Sequence, residues 1–117
     1  MDYNKEKIIQ AGKIASETKK YAREIIKSGA PLIEIAEKIE SKIQELGGNL
    51  AFPVNLSIDE VAAHYTPSHQ DGTLAKGLLK VDLGVSVDGW LSDTAFSVNL
   101  APEGTEEYEE NEKLIFA

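Results

Sequence analysis

Residues 78–100 read LLKVDLGVSVDGWLSDTAFSVNL, two β-rich runs that are joined by the dipeptide Asp88-Gly89. An Asp-Gly pair between such runs is the strongest short-range signal for a β-hairpin, because a type I′ turn needs positive φ at both central residues. With this turn, Val87 pairs with Trp90. The turn therefore sets the hairpin register, and the register decides on which face each side chain lies.

Two aspartates stand in these otherwise apolar strands, where aspartate is disfavoured. In the predicted register Asp82 lies opposite Ala95 and Asp93 lies opposite Gly84, which makes the aspartates diagonal neighbours on one face. Diagonal neighbours are ~7–8 Å apart at the backbone, and two carboxylates there can converge on metal ions held ~3.5–4 Å apart. A solvated sheet face fits the same pattern, so the residues alone leave both interpretations open. The flanking apolar residues are expected mainly on the opposite face: Val81, Leu83, Leu91 and Phe96.

Two amphipathic helices are predicted before the hairpin, over about 4–27 and about 32–46, because apolar residues recur there at helical spacing. The first helix is expected to bury one stripe: Ile8, Ala11, Ile14, Ala15, Thr18, Ala22 and Ile25. Strands are expected between about 50 and 100. Residues 50–56 are interrupted by Pro53, which is typical of an edge or irregular strand.

Three further segments complete the predicted organisation. Residues 61–65 are a short extended candidate, and residues 68–77 are rich in turn formers and predict a surface loop. A third helix is expected from about 105, where glutamates favour a helix start, and the chain stops inside it. Helices, antiparallel strands and a hairpin together predict an α+β fold.

The composition excludes several classes of protein. With 12 Lys+Arg against 20 Asp+Glu the net charge is −8, and no basic stripe is present for a nucleic-acid partner. No apolar run approaches the ~18 residues of a membrane helix, and the first residues, MDYNKEK, are too polar for a secretory signal. The chain has no Cys, which excludes disulfides and thiolate zinc sites. We therefore expect a cytoplasmic protein that binds neither nucleic acid nor membrane.

Four segments, in this order, resemble methionine aminopeptidase of type II: residues 51–57 (AFPVNLS), 62–67 (AAHYTP), 80–84 (KVDLG) and 88–96 (DGWLSDTAF). Their spacing also agrees, with 12 positions from Phe52 to His64 and 11 from Asp82 to Asp93. The AAHYTP segment favours type II over type I, and the lack of an N-terminal extension is similar to the short archaeal form.

The resemblance implies half of a pita-bread fold, in which two α+β halves enclose two divalent metal ions. It implies that Asp82 is a bidentate ligand of one metal and that Asp93 bridges both. His64, which by itself would be taken as a structural or surface residue, would contact the substrate and stabilise the tetrahedral intermediate. Phe52 would form one wall of the pocket for the methionine side chain. The implied reaction is removal of the N-terminal methionine from peptides or nascent proteins, with Co, Mn, Fe or Zn as the metal.

The family's remaining ligands, a His and two Glu, lie in its second half, and the two histidines here, His64 and His69, both precede the hairpin. Residues 1–117 are therefore expected to be the N-terminal half of the catalytic domain, inactive alone, with a second copy partly replacing the missing half in a homodimer. One alternative is a non-catalytic binding module of the same fold, whose mark would be loss of the metal aspartates. Another is a Xaa-Pro aminopeptidase or creatinase relative, against which the AAHYTP segment argues.

Overall fold

The computed structural model describes residues 2–58 and 72–115, which form helices packed on one antiparallel sheet. The elements in chain order are α1 (Asp2–Ile25), α2 (Leu32–Glu45), β1 (Asn49–Ile58), β2 (Leu78–Val87), β3 (Trp90–Asn99) and α3 (Glu106–Ile115). The strand order is β1-β2-β3. The α+β architecture predicted from the sequence is thus confirmed. The predicted extended segment at 61–65 lies outside the described residues.

The hairpin of β2 and β3 has the register that the Asp-Gly turn predicts. Asp88 and Gly89 have φ values of 50° and 86°, as a type I′ turn requires, and Val87 pairs with Trp90. The turn also contacts the first helix, because Lys7 Nζ lies 2.8 Å from Asp88 Oδ2. The register prediction is confirmed along both strands.

The core lies between the helices and one face of the sheet. α1 contacts β2 and β3, whereas α2 contacts β1. The side chains that the sheet buries completely are aliphatic: Val54, Leu56, Leu79, Val81, Leu83 and Val85. The helices contribute small and branched residues: Ala11, Ile14, Ala22, Ile35, Ile39 and Ile43. Each fully buried Val, Leu or Ile contributes roughly 1.5–3 kcal/mol, so this layer holds the fold together. In the described part of the chain, no helix is long and apolar enough to cross a membrane.

The predicted inward stripe of α1 is wrong at its ends. Ile8 is 45% exposed, and Ile26 enters the core whereas Ile25 is only partly buried. The contact between Lys7 and Asp88 explains the first error, since it shows that this part of α1 lies level with the hairpin turn, where the strands end. A helical stripe predicts which face turns inward but not how far the opposing sheet extends.

β1 is an irregular edge strand, as Pro53 predicts. Its register against β2 shifts twice, the second time between Phe52 and Asn55, where three steps along β1 match two steps along β2. The extra residue defines a β-bulge. The N–H of Val54 donates to Glu40 Oε2 at 3.2 Å, so a side chain of α2 satisfies a backbone group at the bulge.

The predicted surface loop at 68–77 is only partly exposed in its described residues, 72–77. Leu74 is half-exposed, but Ala75 is buried in the core. The N–H of Ala75 donates to the carbonyl of Ala30 at 2.7 Å, and the N–H of Gly29 donates to the carbonyl of Ala75 at 2.8 Å. This end of the loop is therefore attached to the connection between α1 and α2.

Polar contacts attach α3 to the end of β3. Asn111, the buried residue of α3, donates through Nδ2 to Asn99 Oδ1 at 3.2 Å. Asn99 in turn donates to the carbonyl of Tyr108 at 3.0 Å. Thr105 caps the helix, since its Oγ1 accepts the N–H of Tyr108 at 3.2 Å. The start of this helix was predicted from its glutamates, whereas the amide network was not.

Replacing Thr18 by Val should stabilise the protein. Thr18 is fully buried in α1, and its Oγ1 has no hydrogen-bond partner among the described residues. A buried hydroxyl without a partner costs roughly 1–3 kcal/mol, and Val has nearly the same shape. We expect Thr18→Val to raise the free energy of unfolding by about 1 kcal/mol, measured by urea denaturation. The control Thr18→Ser keeps the hydroxyl, removes a methyl group and should lower stability; a destabilised Thr18→Val would contradict the prediction.

Candidate metal centre

Asp82 and Asp93 lie on the same face of the sheet, opposite to the helices. Asp82 pairs with Ala95 and Asp93 pairs with Gly84, which makes the two aspartates diagonal neighbours ~7–8 Å apart at the backbone. Asp93 is exposed and Asp82 is half-buried. Since α1 and α2 cover the other face, both carboxylates stand on the open face of the sheet.

Phe52 reaches this open face because β1 is bulged. Along a regular strand Phe52 and Val54 would point to the same side, yet Val54 is fully buried in the core and the Phe52 ring lies over Gly84. A Cβ atom on Gly84 would lie 2.9 Å from Phe52 Cδ2 and 2.9 Å from Asp93 Oδ1. An aromatic ring and a carboxylate oxygen thus converge on the backbone of the central strand.

An open cavity of about 260 Å³ lies beside Asp82 on the same face. Its lining residues come from all three strands: Asn55, Ser57, Lys80, Val81, Asp82, Ala95, Phe96 and Ser97. Asn55 is the β1 partner of Asp82 in the sheet register. Lys80 lies two residues before Asp82 and hence on the same face. The open face therefore changes from aromatic at Phe52, through the two carboxylates, to polar and cationic at Lys80.

The carboxylates of this face suit a divalent cation. Oxygen ligands from aspartate are accepted by Mn, Fe, Co and Zn alike, and the missing side chain at Gly84 keeps the space next to Asp93 Oδ1 free of a Cβ atom. Residues 2–58 and 72–115 contain no group of three His, Cys, Asp or Glu side chains that could hold a metal. The two hairpin carboxylates can thus contribute to a metal site, and the described residues do not complete one.

Sequence reasoning placed Leu91 on the wrong face. It lies two residues before Asp93, so side-chain alternation puts it on the open face, where it is 61% exposed. Sequence reasoning also gave Gly84 and Asn55 no role at this site. Glycine inside a strand is a known signal of close approach by another group, whereas the position of Asn55 depends on the bulge and had no such signal.

The two histidines, His64 and His69, lie outside the described residues. The role that the family resemblance implies for His64 in contacting substrate therefore stays a prediction. Of the four predicted site residues, the structure brings together Phe52, Asp82 and Asp93 on the open face.

Comparison with known sequences gives a consistent set of relatives. Residues 6–115 match the model of metallopeptidase family M24. A methionine aminopeptidase from Pyrococcus horikoshii is 54% identical over 81% of this chain and 33% of its own length. One from Methanocaldococcus jannaschii is 51% identical over 82% of this chain and 33% of its own length. One from Methanothermus fervidus is 40% identical over 96% of this chain and 64% of its own length.

Solved structures with the same fold are more distant in sequence. An X-Pro aminopeptidase from Thermotoga maritima has a TM-score of 0.74 at 22% identity, over 94% of this chain and 31% of its own. A prolidase from Pyrococcus furiosus has a TM-score of 0.74 at 23% identity, over 84% of this chain and 31% of its own. These likenesses confirm the predicted fold, half of a pita-bread arrangement.

The chain spans about a third of the length of the first curated relatives that it matches. The matched region nevertheless includes the whole hairpin, the whole of α2 and all of α1 except its first four residues. Because this match extends over nearly all of its residues, the chain belongs to metallopeptidase family M24.

Proposed function

We propose that this chain provides part of the active site of a metal-dependent aminopeptidase that removes N-terminal methionine from peptides or nascent proteins. The observation that carries the proposal is the convergence of Phe52 and Asp93 at Gly84, on the same open face as Asp82. The methionine aminopeptidase relatives, 40–54% identical, support this substrate. The more distant X-Pro aminopeptidase and prolidase share the fold and carry no argument about substrate.

Each residue of the open face has a separate part in the proposed reaction. Asp82 would be a ligand of one divalent ion, and Asp93 would be a ligand shared by two. Two divalent ions, when bound, supply a water nucleophile at neutral pH and polarise the scissile carbonyl. The Phe52 ring gives the methionine side chain an apolar surface beside Asp93 and so orients the N-terminal residue. His64 is proposed to contact the substrate next to the scissile bond.

The remaining ligands, one His and two Glu by family resemblance, are proposed to come from the region that the longer relatives have beyond the match. Two carboxylates alone hold a divalent ion weakly, because water occupies the other coordination positions. The proposal therefore assigns the 117 residues a place in an active site, without turnover of their own. Since nascent chains are processed where they are made, it also places the protein in the cytoplasm.

A non-catalytic binding module of the same fold is the alternative function. Such a module has no need of the metal carboxylates, whereas both aspartates are present here on one face. The two functions differ in one measurable property, which is divalent-metal binding at this face.

Substituting either aspartate should weaken metal binding. We expect the chain to bind Mn²⁺ weakly, and expect Asp82→Asn and Asp93→Asn each to weaken this binding at least tenfold, about 1.4 kcal/mol. Asp93→Asn should have the larger effect, because its carboxylate is proposed to contact both ions. The measurement is Mn²⁺-induced broadening of amide NMR signals of the hairpin.

The matched control is Asp88→Asn, since Asp88 is an exposed aspartate at the hairpin turn whose positive φ also suits Asn. It should leave Mn²⁺ binding unchanged. Equal losses in all three variants would show a nonspecific charge effect and support the binding-module alternative.

The isolated chain should not release methionine from Met-peptides. The reason is that the family resemblance places three further metal ligands, a His and two Glu, beyond the region that these residues match. The assay follows release of free methionine with Mn²⁺ or Co²⁺ added, with a full-length archaeal relative as positive control. Metal-dependent release by the 117 residues, abolished by Asp93→Asn, would show that the chain is sufficient for activity.

The isolated chain should form a homodimer at tens of micromolar concentration. Leu91 on the open face and Leu114 of α3 are 61% and 67% exposed, and a two-fold dimer is the commonest way to cover such groups. The charge of −8 per chain disfavours larger aggregates. Analytical sedimentation should show the dimer, and Leu91→Glu should dissociate it. Leu74→Glu, at a half-exposed site next to the helix connection, is the control; a monomeric wild-type chain would contradict the prediction.

A further inference from the structure

Gly84 lies in the middle strand, directly between Phe52 of β1 and Asp93 of β3. Glycine weakens a strand, because it has no side chain to pack and loses more conformational freedom on folding. Its backbone does not need glycine, since Gly84 is absent from the residues with positive φ. The reason for glycine at this position must therefore be space.

The space around Gly84 is filled from both neighbouring strands. A Cβ atom would overlap Cε2 of Phe52 and would lie 2.9 Å from both Cδ2 of Phe52 and Oδ1 of Asp93. Separations under 3.0 Å essentially never occur for real Cβ atoms. Gly12 in α1 is different, because a Cβ there would be in ordinary contact with Ser92 Oγ, at 3.9 Å.

We propose that Gly84 is a positioning residue, whose missing side chain lets the Phe52 ring and the Asp93 carboxylate converge on one point of the open face. A methyl group at this point would displace both groups, because the ring and the carboxylate contact it from opposite strands. Gly84 therefore sets the distance between the apolar surface and a metal-binding oxygen. The functional part rests on the proposed roles of Phe52 and Asp93, whereas the steric part rests on the geometry alone.

Gly84→Ala should disturb the core of the fold less than it disturbs the positions of Phe52 and Asp93 on the open face. Phe52 and Asp93 both lie on the open face, and Asp93 is exposed, so the displaced groups can move toward solvent without disturbing the core. The buried neighbours of Gly84 on β2, Leu83 and Val85, point to the other face and pack on the helices. Gly84→Ala should thus change the site more than the core.

A double-mutant cycle with Phe52 tests the steric part. The variants are Gly84→Ala, Phe52→Ala and the two combined, compared by the urea midpoint of unfolding and by NMR of the Phe52 ring and the hairpin amides. In the wild-type background Gly84→Ala should lower the midpoint and shift the ring signals. In the Phe52→Ala background most of that loss should disappear, because the ring no longer occupies the space. Equal losses in both backgrounds would overturn the proposal.

Mn²⁺ binding by the same variants tests the functional part. We expect Gly84→Ala to weaken Mn²⁺ binding about tenfold and the double variant to recover to within about threefold of Phe52→Ala, because Asp93 can then use the vacated space. Wild-type affinity in Gly84→Ala would overturn the positioning role. If the wild-type chain binds no Mn²⁺, the proposed metal function fails, while non-additive unfolding would still establish the steric role.

Gly48→Ala is the matched control for a general loss of stability. A Cβ on Gly48 would lie 2.8 Å from Val85 Cγ1 and 3.3 Å from Ile14 Cδ1, in the core and away from the open face. It should lower the urea midpoint and leave Mn²⁺ binding unchanged. If it weakens Mn²⁺ binding as much as Gly84→Ala, the positioning role is wrong. Should Gly84→Ala not fold, folding of the double variant would support the proposal and its failure to fold would overturn it.

Discussion

The register of the β2–β3 hairpin is the constraint on which the rest of the structure depends. Because side chains alternate along a strand, a slip of one residue would exchange the faces of β3 and turn its apolar residues outward. The turn at Asp88 and Gly89 prevents the slip, since both residues have the positive φ that a two-residue turn requires. The same register that buries the aliphatic face of β2 against the helices places Asp82 and Asp93 together on the open face.

A second constraint, at β1, brings an aromatic side chain to those carboxylates. The bulge between Phe52 and Asn55 allows Val54 to enter the core while Phe52 lies over Gly84. The hydrogen bond from the Val54 N–H to Glu40 links this bulge to α2. The helices therefore do more than cover the hydrophobic face, because one of them also holds the edge strand in the conformation that shapes the open face.

The parts of the fold that are determined by neighbouring residues, such as the hairpin turn, were predictable from the sequence. The parts that depend on packing between elements distant in the sequence, such as the pairing of β1 with β2, were not. The Asp88-Gly89 turn determines its own geometry, so the placement of Asp82 and Asp93 on one face follows from the residues of the hairpin alone. The bulge was only partly indicated by Pro53, because a missing N–H shows that a strand is irregular but not where the extra residue lies. Ile8 and Leu91 were misplaced for a similar reason: the apolar character of a residue does not tell whether a neighbouring element is there to cover it.

The fold alone does not decide the function of this open face. An X-Pro aminopeptidase and a prolidase share the fold at only 22% and 23% sequence identity. What distinguishes the open face is the set of side chains that the hairpin register and the β1 bulge place on it. Two carboxylates on one sheet face concentrate negative charge there, which Lys80 on the same face offsets in part and a bound cation would offset further. The aromatic ring over Gly84 adds an apolar surface next to one of these carboxylates, where a solvated face would favour a polar side chain. Under the proposed function, a bound cation would offset this negative charge and an apolar group of the substrate would cover the ring, so the same face would bind both together.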